Sequence, residues 1–251
     1  GNDKSQSYIS VATTNAAGIM PNNDYDRYNF SFRNTTNFLN NKFILDTSAN
    51  YIIQNDKNMV SQGQYFNPLT SLYLFPRGED FSDVTVYERY DDLSGVNTQY
   101  WPYGDLGGVS SQNPYWIMNR MNRENDRRRY KLAASLQYNI IDGLNVQGRV
   151  SIDNTESKYT EKFHAGTVGN FAGSKGRYKE ENRLERQVYA DVLANFNKTF
   201  NEFNVTANLG ASIKDLRMEL TSLHGDLNNV TNHFTIENLT RSGYYKVNVD
   251  G

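Results

Sequence analysis

Apolar and polar residues alternate along much of this chain. Tyr130, Leu132, Ala134, Leu136, Tyr138 and Ile140 fall on one side, and Lys131, Ala133, Ser135, Gln137 and Asn139 on the other. Successive side chains of a strand point to opposite faces, so this spacing predicts a strand with one apolar and one polar face. After the turn Ile141-Asp142-Gly143 the pattern returns, with Leu144, Val146, Gly148, Val150 and Ile152 opposing Asn145, Gln147, Arg149, Ser151 and Asp153. A second pair follows. Val188, Ala190, Val192, Ala194 and Phe196 share a face, as do Phe203, Val205, Ala207, Leu209, Ala211 and Ile213, across a turn near Phe200-Asn201-Glu202. A less regular pair comes earlier. Tyr28, Phe30 and Phe32 lead through Leu39-Asn40-Asn41-Lys42 to Phe43, Leu45, Ala49, Tyr51 and Ile53. A weaker strand covers about residues 7–14, and the Tyr/Val-rich stretch before Gly251 reads as the start of another. The prediction is seven strands of roughly 9–13 residues, the length that crosses a bilayer at a tilt.

The connections alternate too. Short turns at 39–42, 141–143 and 200–202 separate long loops at 15–27, 55–128, 157–185 and 217–242. Putting every long loop at one end is the habit of an outer-membrane barrel. The chain therefore predicts an all-β fold. It is an antiparallel up-and-down transmembrane β-barrel, present in part as one domain over residues 1–251, with 55–128 as a long extracellular loop. The charges Arg149, Asp153, Asp191 and Lys214 then face a watery lumen or a polar plug, because unpaired charge in a small packed core is costly. Tyr28, Phe38, Phe43, Tyr51, Tyr130, Tyr138, Phe196 and Phe203 sit near strand ends, as interfacial aromatic girdles do. The alternative is a soluble carbohydrate-binding β-sandwich, in which two sheets bury their apolar faces against each other.

Composition narrows the chemistry. The 251 residues include no Cys, which removes disulfides, thiolate metal sites and Cys nucleophiles. Net charge is −2, so the broad basic footprint of a nucleic-acid binder is absent. No apolar run reaches the length of a transmembrane helix, which leaves a β-barrel open. Asn is abundant, at 33 residues. The chain starts at Gly1 without a Met, and it is read as part of a longer protein.

Motifs for catalysis are weak. Gly104-Asp105-Leu106-Gly107-Gly108 has no following Lys-Ser/Thr and reads as loop punctuation rather than a phosphate cradle. His164, His224 and His233 fall in predicted loops without ligand spacing, so no metal or cofactor is assigned. Glu79, Asp80, Asp83, Glu88, Asp91 and Asp92 crowd the long loop, but without the spacing of a calcium loop or a defined glycosidase pair. A barrel lipase would need a Ser beside a His, and none stands out. No catalytic residue is assigned and the chain is not read as an enzyme. Arg127-Arg128-Arg129 reads as a solvated strand end, or as a clamp on lipopolysaccharide phosphates. The Asn-x-Thr triplets at Asn34, Asn197, Asn204, Asn229 and Asn238 read as composition. Tyr87, Tyr90, Tyr100, Trp101, Tyr103, Tyr115 and Trp116 form the densest aromatic cluster. Flat rings among polar groups suit a sugar or peptide surface, and equally a mini-core that holds the loop together. The ligand-binding candidates are Trp101, Tyr103, Tyr115 and Trp116 for stacking, with Arg77 and Arg89 for polar contacts.

Several segments carry a family resemblance. The run Gly18-Ile19-Met20-Pro21-Asn22-Asn23 and the strand Tyr25-Asp26-Arg27-Tyr28-Asn29-Phe30-Ser31-Phe32-Arg33-Asn34 come first. Leu72-Tyr73-Leu74-Phe75-Pro76-Arg77-Gly78, Tyr87-Glu88-Arg89-Tyr90 and Gln112-Asn113-Pro114-Tyr115-Trp116 follow, then Tyr159-Thr160-Glu161-Lys162-Phe163 and Gln187-Val188-Tyr189-Ala190-Asp191. Together they resemble the barrel of SusC/RagA-type TonB-dependent outer-membrane transporters of Bacteroidetes. The resemblance implies a 22-stranded barrel in the Gram-negative outer membrane with an N-terminal plug. It implies contact with TonB through a part absent from these residues, and with outer-membrane lipid and lipopolysaccharide. It also implies a SusD-like surface lipoprotein over the mouth, and import of oligosaccharides or peptides.

Overall fold

A computed structural model describes residues 1–2, 4–61, 63–104, 111–240 and 243–250. One sheet of eight strands dominates it, in the order β1 (Ser5–Ala17), β2 (Asp24–Phe38), β3 (Phe43–Lys57), β6 (Met121–Ile141), β7 (Leu144–Phe163), β8 (Arg177–Phe200), β9 (Phe203–Asp226) and β10 (Gly243–Asp250). Every neighbouring pair is antiparallel. Between β3 and β6 lie a short helix α1 (Pro68–Leu74), a 3-10 turn (Phe81–Thr85), a small hairpin of β4 (Glu88–Asp91) and β5 (Val96–Gln99), and a second short helix α2 (Pro114–Arg120). No helix among the described residues is long and apolar enough to cross a membrane, which says nothing of a barrel that crosses with strands. The sheet is the up-and-down arrangement of an all-β partial barrel. A sandwich needs a second sheet over the apolar face, and the only other sheet among the described residues is the two-stranded β4–β5 hairpin.

Register joins the apolar rows of successive strands into one belt. One row runs Ile9, Phe32, Ala49, Leu132, Ile152 and Val188 across six strands. Another runs Val11, Phe30, Tyr51 and Tyr130. Most of these side chains are left open: Ile9 is 73% exposed, Val11 68% and Leu132 47%. The opposite face carries the polar rows. There Arg33 meets Asp46 at 2.9 Å, Arg129 meets Asp153 at 2.6 Å and Arg149 meets Asp191 at 2.9 Å, each pair across a strand boundary. Charges at Arg149, Asp153 and Asp191 are thus satisfied within the sheet rather than by burial.

The strands are longer than the alternation predicts. β8 and β9 each have 24 residues, and β6 has 21. Much of the predicted loops 157–185 and 217–242 is strand, and β10 is an eighth member. The reason is a change of pattern above the belt. On β9 the outward residues become Asp215, Arg217 and Glu219, while Leu216, Met218 and Leu220 turn inward, so hydrophobic alternation no longer marks one face. Pairing continues through the backbone ladder and through ion pairs such as Lys158 with Glu180 (3.2 Å) and Lys162 with Glu124 (2.8 Å).

Part of the Asn content has a geometric role. Among the described residues seven non-glycine residues have positive φ, and six of them are Asn: Asn22, Asn40, Asn41, Asn58, Asn201 and Asn232. Asn tolerates the left-handed region better than most residues. The β6–β7 turn uses a glycine instead, because Gly143 has φ +81° and a Cβ there would lie 2.5 Å from the Asn197 carbonyl oxygen. Gly143→Ala should therefore cost at least about 1–2 kcal/mol from the backbone conformation alone. Gly148→Ala, with nothing near its added Cβ, should be close to neutral. Unfolding midpoints of the two variants in detergent micelles check the contrast; equal midpoints would refute it.

Candidate functional site

The segment between β3 and β6 folds into a cap on the inward side of the strand tops. Trp116, Ile117, Met121, Phe163 and Ala172 form its buried cluster, with Phe66 and Tyr87 packed against it. Trp116 is fully buried and its indole N–H donates to Thr167 Oγ1 at 3.0 Å. Asn113 stitches the pieces together. Its side-chain oxygen caps α2 by accepting from the Tyr115 N–H (2.9 Å), and its amide donates to the carbonyls of Val84 (2.8 Å) and Tyr100 (3.1 Å). Pro114 follows at the first helical position, where its missing N–H costs nothing. The Asn-Pro-Tyr-Trp motif is thus the fastening of the cap.

The six sequence-derived candidates separate. Trp116 belongs to the buried cluster and has no face open to a ligand. Trp101, Tyr103 and Tyr115 are half-buried and belong to a chain of rings. Trp101 meets Tyr103 edge-on at 5.1 Å, Tyr103 meets Phe75 at 4.8 Å, Phe75 meets Phe81 at 5.2 Å, and Phe81 reaches Tyr115 at 6.4 Å. The Trp101 N–H is occupied by the Gly104 carbonyl and Ser111 Oγ. Arg89 lies over the Tyr100 ring at 3.3 Å, and Arg77 is exposed on the turn after α1. Phe75 and Phe81, which complete the ring chain, were not distinguished by spacing; only their place in the same loop connects them. Asp105 to Gly108 lie outside the described residues.

Beneath the cap is a hollow of about 1000 Å³. Its walls are the inward rows of β3, β6, β7 and β8 continued above the belt, including Arg123, Arg127 and Arg129 on β6, and Tyr159 and Glu161 on β7. Phe66 roofs it and is stacked over by Arg123 at 4.5 Å. Strand alternation splits the arginine triplet. Arg127 and Arg129 line the hollow, while Arg128 stands on the opposite face opposite Glu156, so the three form no single clamp. These wall residues are legible in hindsight, because they continue the odd-numbered rows of Arg149 and Asp153.

Ion pairs and burial fix the protonation of the cap. Arg120 grips Glu88 with two hydrogen bonds of 2.7 and 2.8 Å, which hold the Glu88 carboxyl below its usual value. Burial, helped by the Arg120 charge, pushes His164 down to about 4. The described residues include no group of His, Cys, Asp or Glu able to hold a metal ion. The His164 ring meets Phe234 at 5.0 Å.

The class of protein defined by these features is an antiparallel barrel wall with an inward-folded cap over a charged hollow. No family model matches the chain, and no curated protein does. Solved structures do. The chain is similar to part of the RagAB peptide importer in its closed-closed state, with a TM-score of 0.66 and 13% identity over 100% of this chain and 28% of that one. It is equally similar to the same importer in its open-open state and to the RagAB peptide transporter, each with a TM-score of 0.67 and 13% identity over 99% of this chain and 27% of that one. At that identity the likeness establishes the fold, and the chain spans little more than a quarter of those chains. The family that the sequence motifs resemble is the one whose barrel fold the chain shares.

Two outcomes follow for the cap. Trp116→Ala should cost about 3–5 kcal/mol of local stability, the range for deleting a buried aromatic. Limited proteolysis should then cut within residues 58–120, whereas Trp101→Ala should leave the cap resistant. Acid should loosen the same region. His164 is neutral in the fold and takes up a proton more readily when unfolded, so stability present above pH of about 6.5 is lost as pH falls toward 4. The Glu88–Arg120 pair is lost in the same direction at lower pH. Amide exchange at residues 164–168, corrected for intrinsic rate, should accelerate from pH 7 to pH 5, and His164→Gln should abolish that change.

Proposed function

We propose that the chain is a wall segment of an outer-membrane β-barrel importer of the TonB-dependent SusC type. In this reading it crosses the Gram-negative outer membrane several times. Oligosaccharides or peptides enter from the mouth, pass the cap and the hollow, and move inward when a plug outside these residues is remodelled through TonB. A SusD-like surface lipoprotein covers the mouth. The belt contacts lipid, and the rim above it contacts lipopolysaccharide. Trp101, Tyr103 and Tyr115 offer partly open rings for stacking at the mouth, Arg77 and Arg89 offer polar contacts, and Trp116 serves the cap.

The observation that carries the reading is the division of each strand between two media. The same strands present a continuous exposed apolar belt outward and ion-paired polar rows inward. Water would penalise the first face, and lipid the second. The likeness to structures named as peptide importers and transporters adds support.

Leu136→Arg places a charge in the middle of the belt and should cost about 2–4 kcal/mol of folding into a bilayer. Ala133→Arg, on the hollow side of the same strand beside a cavity of about 330 Å³, should fold nearly as well as the parent. Folding yield into lipid vesicles, read by the heat-dependent shift on a gel, separates the two. Recovery of the protein in the soluble fraction, with both variants equally folded, would sink the barrel reading and favour a soluble binding module.

A further inference from the structure

The charges lining the hollow are almost all answered. Arg123 faces Glu161 at 3.6 Å, Arg129 holds Asp153 at 2.6 Å, and Arg183 contacts Glu185. Lys162 and Lys179, just behind the lining, answer Glu124 at 2.8 Å and Glu181 at 3.0 Å. Two lining charges differ. Arg127 reaches only a neutral oxygen, its Nε–H donating to Ser157 Oγ at 3.4 Å. Asp56 accepts only from neutral amides, Asn125 at 2.7 Å and Gln54 at 3.2 Å. Among the described residues neither has an ion-pair partner within 4 Å.

These two charges are neighbours. Asp56 on β3 stands opposite Asn125 on β6, and Arg127 is two residues further along β6 on the same face. Such diagonal cross-strand positions lie about 7–8 Å apart. Asn125 donates to Asp56, the two charges make no ion pair with each other, and both line the hollow. A guanidinium with free N–H groups matches a carboxylate in geometry and charge. A carboxylate a few ångströms away matches an ammonium group. A neutral solute satisfies neither, and a purely anionic one meets Asp56.

We propose that Arg127 and Asp56 form a seat for a zwitterionic solute, whose carboxylate docks on Arg127 and whose ammonium docks on Asp56. Its place in transport rests on the importer reading above; its existence as a binding site does not. Two kinds of solute carry this chemistry: short peptides with free termini, and oligosaccharides that combine an amino sugar with a uronate.

The test is titration calorimetry on the intact protein in detergent micelles. The probes are trialanine with free termini, the same peptide acetylated and amidated, a glucosamine–glucuronate disaccharide, and its N-acetylated form. At least one free zwitterion should bind, and the one that does identifies the source. Arg127→Gln and Asp56→Asn should each weaken that binding about tenfold or more, the scale of a hydrogen bond to a charged group. The charge-exchanged double variant Arg127→Asp/Asp56→Arg should recover part of the loss, which separates a lost seat from a misfolded hollow. Unchanged affinity in both single variants, equal binding of the blocked probes, or no binding of any probe would overturn the seat. Membrane fractionation is read in parallel. Failure to bind by a protein that sits in the outer membrane removes the seat alone, and binding by a soluble protein removes the importer reading alone.

Discussion

The structure depends on an antiparallel ladder that runs from β1 to β10, with a register shift between Asn139 and Ile141 beside the β6–β7 turn. Backbone hydrogen bonds fix which residues stand side by side, and strand alternation then sends every second side chain to the other face. A slip of one residue would exchange the faces of a whole strand. It would put Arg149 and Asp191 outward and Val150 and Ala190 inward. The belt and the polar wall are therefore two consequences of one pairing scheme. Cross-strand ion pairs such as Arg149–Asp191 add to its specificity, because each is made only in the native register.

The cap depends on the same ladder at its upper end. Met121 and Phe163 are directly opposite each other on β6 and β7, and both point inward into the cluster around Trp116. The cap is thus anchored by the last strand residues rather than tethered by its ends. Asn113 and Asn58 complete the anchoring from the two sides. The Asn58 backbone N–H donates to the Arg123 carbonyl at 2.7 Å, and its side-chain oxygen accepts from the Arg123 N–H at 2.8 Å. Short polar side chains do this work well because they bond to backbone groups where no regular structure can.

Much of the fold was legible in the sequence. Strict alternation from residue 130 to 152 and from 188 to 213 marks strands whose two faces meet different surroundings. It fails where charged residues replace the outward apolar row, as at Asp215, Arg217 and Glu219, and there the sequence predicts loops. The hollow beneath the cap lies in that unreadable zone. Arg127 and Arg129 were visible as part of a triplet, but only the strand geometry separates them from Arg128. Trp116 illustrates the other limit. Ring-rich loops serve cores and binding surfaces with the same residues, and composition does not tell which ring is enclosed.

The near-complete pairing of charge in the hollow also bears on kinetics. Closely paired opposite charges cancel at a distance, so the field reaching out from the mouth decays over a few ångströms rather than over a full Debye length. In the proposed importer, a solute would then be drawn in by no long-range pull. Its rate of arrival would be set by diffusion and by the opening beneath the cap, and added salt would leave that rate almost untouched. Discrimination between solutes would be confined to how long each one stays.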